Sequence, residues 1–203
     1  MKNYAALFVL ALALALGCNS GSTAPQSDQP KASTPETGRF ALQKMIPAAR
    51  LWNADAQTVR LQSTTMPGND GHGGKSGFWR ATFASVSARK TMQFSWSGLA
   101  GPDAPPRGIG HSTEDSYNPG NRSNLTFDLN FLRTDTDNAF QVAQEHGGKQ
   151  LLEKDPSMTV TYLLDWEAEE NQLRWHVIYG ASGSLSKLSV VVDASTGAYL
   201  RKE

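Results

Sequence analysis

The sequence predicts an α+β protein, with helices laid on antiparallel sheet. Several runs alternate apolar and polar residues with period two, the pattern of a strand with one buried face. Two stretches instead repeat apolar residues at spacings of three and four, the pattern of an amphipathic helix. These signals come in one order, helix, strand, hairpin, strand, strand, in residues 40–97 and again in 137–203. A helix on one face of an antiparallel sheet is an α+β unit, and each half is small enough that two would share a core.

Lys2 is followed by an unbroken apolar run of 12 residues, Ala5 to Leu16. That is too short to span a bilayer but suits the apolar core of an export signal. The run ends in Leu14-Ala-Leu-Gly-Cys18, which resembles the bacterial lipoprotein cleavage box, although Ala15 stands where the box prefers Leu. The resemblance implies removal of residues 1–17 and lipidation of Cys18, the chain's single cysteine, with palmitate among its acyl chains. Several chains on one residue anchor stably where one would not. In a two-membrane cell, Asn19 rather than Asp implies the outer membrane, facing the periplasm. Residues 18–38 then carry no aromatic or large aliphatic side chain and read as a disordered tether reaching about 25 Å.

The first unit is expected over 39–100. Leu42, Met45, Ile46, Ala49 and Trp52 form a helical stripe, with Pro47 set to kink the helix or delay its start. Strands are expected at 57–62, with Val59 and Leu61 on one face, at 78–84 with Trp79, Ala81 and Phe83 inward, and at 91–96 with Met92, Phe94 and Trp96 inward. The Gly-rich stretch 67–76 lacks phosphate-loop spacing and reads as a flexible hairpin turn. Residues 101–126 read as an irregular connection.

The second unit is expected over 127–203. Phe127, Leu129 and Phe131 suggest a short strand, and Asp135 to Asn138 offer N-caps for a helix bearing Ala139, Phe140, Val142 and Ala143. Strands follow with Val160, Tyr162, Leu164 and Trp166 inward, then Leu173, Trp175, Val177 and Tyr179. The last inward set is Leu188, Val190 and Val192. This register buries Val190 with Trp175 and Phe140, and it puts Arg174 and His176 on a solvated face. Asp193 to Gly197 supply the final turn.

This half resembles the PepSY domain in residues 135–143, in the Trp175-His-Val-Ile-Tyr179 strand and in Val191 to Gly197. The tandem is similar to β-lactamase-inhibitor-type proteins of two such units, and to bacterial lipoproteins without an assigned activity. What the resemblance implies is an extracytoplasmic, non-catalytic module, often one that restrains peptidases.

Composition removes other classes. With 19 basic and 19 acidic residues, no charge excess marks a nucleic-acid surface. His72, His111, His146 and His176 lie far apart, without metal-site spacing, and Asp70 with His72 lacks further ligands. No Gly-x-Ser-x-Gly elbow is present. No cofactor, metal or catalytic residue is therefore expected. The expected function is a membrane-anchored lipoprotein binding or modulating another envelope protein, such as a peptidase. A small-ligand-binding or passive structural role is the alternative. Candidate partner-binding residues are Glu167, Glu169, Glu170 and Asn171, in the turn between two strands.

Overall fold

A computed structural model describes residues 32–180 and 186–203. Cys18, the export signal and the tether up to residue 31 lie outside the described residues. Among the described residues three α-helices form: α1 (Gly38–Trp52), α2 (Thr136–Ala143) and α3 (Lys149–Lys154), the last two joined by a π-helical turn at Gln144–Gly148. The first half contributes strands β1 (Glu36–Thr37), β2 (Gln57–Ser63), β3 (Lys75–Ser76), β4 (Phe78–Ser85), β5 (Lys90–Ser97) and β6 (Gly108–Ser116). The second contributes β7 (Val160–Glu167), β8 (Gln172–Gly180), β9 (Ser186–Asp193) and β10 (Tyr199–Lys202).

Eight strands make one antiparallel sheet in the order β10-β9-β8-β7-β2-β4-β5-β6, while β1 and β3 pair separately. The order mirrors itself about the β2–β7 junction, where Leu61 faces Leu164 and both are fully buried. All helices cover one face, and a single core runs from Leu42 and Met45 of α1 to Phe140 of α2 and Val190 and Val192 of β9. Gly38 marks its centre. A Cβ there would stand 2.7 Å from Trp175 and 3.1 Å from Trp79, so the two buried indoles converge on one backbone position.

The long strands begin and end within a residue or two of their expected limits, and, Val59 of β2 apart, their inward residues are those of the apolar alternation. Other expectations change. Residues 32–38, expected within the tether, are held: Thr34 N–H donates to the Gly98 carbonyl at 2.9 Å, β1 pairs with β3, and the Trp79 indole donates to the Glu36 carbonyl at 3.0 Å. Helix α1 runs through Pro47, because the bond its missing N–H forfeits falls on the exposed Gln43 and Pro47 side of the helix. A bulge between Thr58 and Arg60 turns Val59 off the core face to meet Ala84 and Tyr117.

Residues 127–131 form no strand. Asp128 accepts from Asn130 N–H at 2.8 Å and winds Leu129–Phe131 into a 3-10 turn, leaving Phe127 a single bridge to Thr58. The stretch 101–126 contains β6, since its polar residues satisfy an edge strand that buries almost nothing. The Gly-rich stretch 67–76 is packed rather than free: Tyr162 donates to the Gly71 carbonyl at 2.6 Å and accepts from Gly74 N–H at 3.1 Å. Gly147 sits at φ 110° within the π turn that carries α2 into α3.

Candidate functional site

The face opposite the helices bears a connected group of charges, and strand pairing decides which meet. Asp193, Arg174, Asp165, Arg60 and Thr82 lie side by side across β9, β8, β7, β2 and β4. The neighbouring row places Val191, His176, Leu163, Gln62 and Arg80 in line.

Arg174 and His176 are buried at 6% and 9% exposure, which corrects the solvated positions expected for them. Charge does not keep them in water because their partners sit on the same face. Arg174 Nη2 lies 2.7 Å from Glu167 Oε2 and 3.8 Å from Asp165 Oδ1, while its Nε and Nη1 are enclosed without a hydrogen-bond partner. His176 Nε2 lies 3.2 Å from Asp165 Oδ1, and Nδ1 lies 3.3 Å from Glu203 Oε2. Burial pushes the Asp165 carboxyl up, but the hydrogen bond and charge of His176, with Arg174 and Arg60, outweigh it and hold it below the ordinary value.

The hairpin between β7 and β8 rises from this network. Asn171 takes φ 52°, a left-handed turn position that Asn tolerates better than most residues. Glu167 points back to hold Arg174, so the structure gives it a packing role instead of a place at the tip. Glu170 lies 3.7 Å from Arg201, which also holds Glu203 at 2.9 Å. Glu169, Glu170 and Asn171 are exposed. The Arg122 guanidinium donates to the Ala168 carbonyl at 3.3 Å and ties loop 117–126 to the hairpin.

Beside the hairpin, Phe131 packs edge-on against Trp166 with ring centroids 5.2 Å apart. Phe131 is 44% exposed and Trp166 half-buried. Sequence alternation puts Trp166 on the inward face and Phe131 in a strand, and does not bring the two together. The aromatic character of both residues was the available signal. Next to them, Ile46, Arg50, Phe83, Phe127 and Leu129 line a groove of about 440 Å³. A second groove, about 320 Å³ and more polar, lies on the open face between Arg60, Thr82, Asp115 and Tyr117.

The other histidines do not assemble. His72 bonds the Met158 carbonyl at 2.8 Å, His111 is exposed on β6, and His146 stacks on Tyr199 at 3.7 Å. Among the described residues no group of three or more His, Cys, Asp or Glu side chains is placed to hold a metal ion. Among them, too, no helix is long and apolar enough to cross a membrane.

No protein-family model matches the chain, and no curated protein shows significant similarity to it. Among solved structures, the crystal structure of a candidate lipoprotein from Clostridium difficile 630 aligns over 87% of this chain and 95% of its own, at 15% identity and a TM-score of 0.49. Neither the fold nor the role of that protein is carried over to this one.

Proposed function

We propose that the chain is a lipid-anchored envelope lipoprotein whose folded part binds another extracytoplasmic protein and transforms no substrate. The anchor rests on the sequence: an apolar run too short to span a bilayer leads into Gly17-Cys18. The binding role rests on one observation. The half-exposed Phe131 ring stands against Trp166 beside the exposed hairpin tip Glu169 to Asn171. Aromatic anchors rimmed by polar groups are where association energy concentrates in protein interfaces.

In this reading the two halves are PepSY-like units repeated in tandem, the mirrored strand order being the trace of the repeat. Their junction would set the aromatic anchor and the hairpin at one end of a continuous sheet. A peptidase is the partner class that the resemblance favours.

Two experiments separate the claims. Cys18→Ser should move the protein from the membrane fraction to the soluble fraction or leave its signal uncleaved. Unchanged fractionation together with unchanged cleavage would refute the anchor. A photo-crosslinker at Glu169 in the full chain should trap one envelope protein, and Phe131→Ala should cut that capture about tenfold or more while the thermal transition holds. Equal capture by Phe131→Ala would remove the aromatic pair from the interface.

A further inference from the structure

We propose that the groove between α1 and residues 127–130 receives the C-terminal residue of another polypeptide, its apolar side chain on the floor and its terminal carboxylate at Arg50. The inference deepens the proposed binding role and rests on it, since it names what the partner presents. The groove measures about 440 Å³. Its floor is apolar: Phe83 and Phe127 are buried, and Ile46 and Leu129 are half-buried beside them. An apolar floor with a few polar groups at its rim is the form that binding pockets take.

The rim decides what that side chain must carry with it. Arg50 is exposed in the last turn of α1 and, among the described residues, forms no hydrogen bond or ion pair. Gln57 Oε1 accepts from the Thr126 hydroxyl at 2.8 Å, which leaves the Gln57 side-chain N–H groups to donate. The lining's one acid, Asp128, is taken up by Asn130, whose backbone N–H donates to it at 2.8 Å and whose side-chain amide donates at 3.3 Å. The open side-chain groups at the Arg50 end are therefore donors, one of them charged. A carboxylate is the group that only accepts, and it bonds a charged donor most strongly.

Spacing favours a chain end over an internal acid. Ile46 and Arg50 lie one helical turn apart, about 6 Å. That is comparable to the reach from the tip of a Leu or Phe side chain to the carboxylate on its own Cα. In an extended internal segment the next side chain points to the opposite face, and the one after it stands about 7 Å along with more chain to place beyond. The turn from α1 into β2 brings Ala56 and Gln57 into the lining beside Arg50, which suits a chain that stops there. Arg50 also offsets the negative end of the α1 dipole, a role that needs its charge but no ligand. The test separates the two roles.

The test is titration of the full chain in lipid nanodiscs with the probe N-acetyl-Ala-Ala-Leu, followed by the backbone amide shifts of Arg50, Gln57 and Leu129. Those amides should move along one saturation curve. The same tripeptide ending in a carboxamide should bind about tenfold more weakly, the scale of one charge-assisted hydrogen bond. Arg50→Gln, at an exposed site, should bring the acid down to the affinity of the carboxamide and leave the carboxamide's own affinity unchanged. A role in the helix dipole alone would not produce that difference. No shifts in the groove, or equal affinity of acid and carboxamide, would overturn the proposal. So would equal binding of N-acetyl-Ala-Leu-Ala-Asp-amide, which sets the acid within a segment, or of hexanoate, which marks a fatty-acid site. Should the probes fail while Phe131→Ala still cuts capture at Glu169, the groove assignment falls and the binding role stands.

Discussion

Arg174 and Val190 occupy opposite faces of the C-terminal sheet, and both are buried. Alternation alone makes Val190 the costly position and Arg174 the cheap one. The structure makes both costly, for different reasons. Val190→Ala should lose about 1–3 kcal/mol through lost contact and a residual cavity. Arg174→Ala should lose a similar amount, about 1–3 kcal/mol, because it strands Glu167 and Asp165, which keep enough exposure for water to recover part of the loss. Arg174→Met should cost less than Arg174→Ala, since it fills the space and removes two enclosed, unpartnered nitrogens. Urea midpoints at constant slope measure all three, and Met worse than Ala would refute the account.

Asp165 and Asp193 set the acid limit. In Asp193, burial raises the carboxyl, but the bonds from Ser195, Gln172 and Thr196 outweigh it and leave it lowered, as Asp165 is. A carboxyl whose folded value lies below its unfolded one contributes stability that is present above the unfolded value, about 3.9, and is lost as pH falls through the folded value. Stability should therefore drop below about pH 4, and Asp165→Asn should make that part of the profile shallower. An unchanged slope in Asp165→Asn would exclude Asp165 as a contributor.

Among the elements, the Gly-rich connection between β2 and β4 behaves least like the loop its composition suggests. Gly71 and Gly74 both take φ 79°, and a Cβ on either would run into backbone, of Val160 in the first case and of Thr136 and Asp137 in the second. The Thr136 hydroxyl donates to the Gly74 carbonyl and accepts from Gly38 N–H at 3.0 Å, so this connection, α1 and α2 meet at one side chain. Gly74→Ala should therefore destabilise by more than about 2 kcal/mol, whereas Gly68→Ala, with open space around its Cβ position, should cost no more than about 1 kcal/mol from its φ of 73°. Thermal melts of the pair decide it, and equal effects would mean that the connection does not dock. Tyr162, whose hydroxyl anchors the same segment, is pushed well above its ordinary value, mainly by burial. Tyr179 is likewise pushed up to about 12 by burial, although the Gln144 amide donates to it at 2.7 Å.

At the scale of the molecule, one core spans both halves and one sheet runs through the β2–β7 junction. Unfolding should therefore be a single cooperative transition, with tryptophan fluorescence and far-UV dichroism coinciding. Leu164→Ala, at the junction, should shift that one transition by about 2–5 kcal/mol without splitting it. Two resolved transitions would show halves that are thermodynamically separate. Deleting 103–120 removes all of β6, whose Ser97-to-Lys90 partners lie along β5, as well as Tyr117, which packs against Val59 and Ala84. That deletion is a change to the sheet rather than to a surface loop, and it should lower the midpoint accordingly.

The α+β class, the inward faces of β4, β5, β7, β8 and β9, and the Asp135 cap of α2 were legible because each depends on local periodicity or on a side chain reaching its own backbone. Period two names the inward residues of a strand wherever that strand lies. It does not say what stands across from the outward ones. Whether Arg174 and His176 are solvated or enclosed depends on Asp165, Glu167 and Glu203 arriving from β7 and the β10 end, through pairings that only the assembled sheet sets. The same holds for the Phe131–Trp166 contact, made between a 3-10 turn and a strand end, and for Gly71 and Gly74, whose neighbours lie more than 60 residues away. Local chemistry wrote the elements into the sequence. Long-range pairing decided which charges, rings and backbone groups share a site, because those distances are fixed only once the sheet closes over its core.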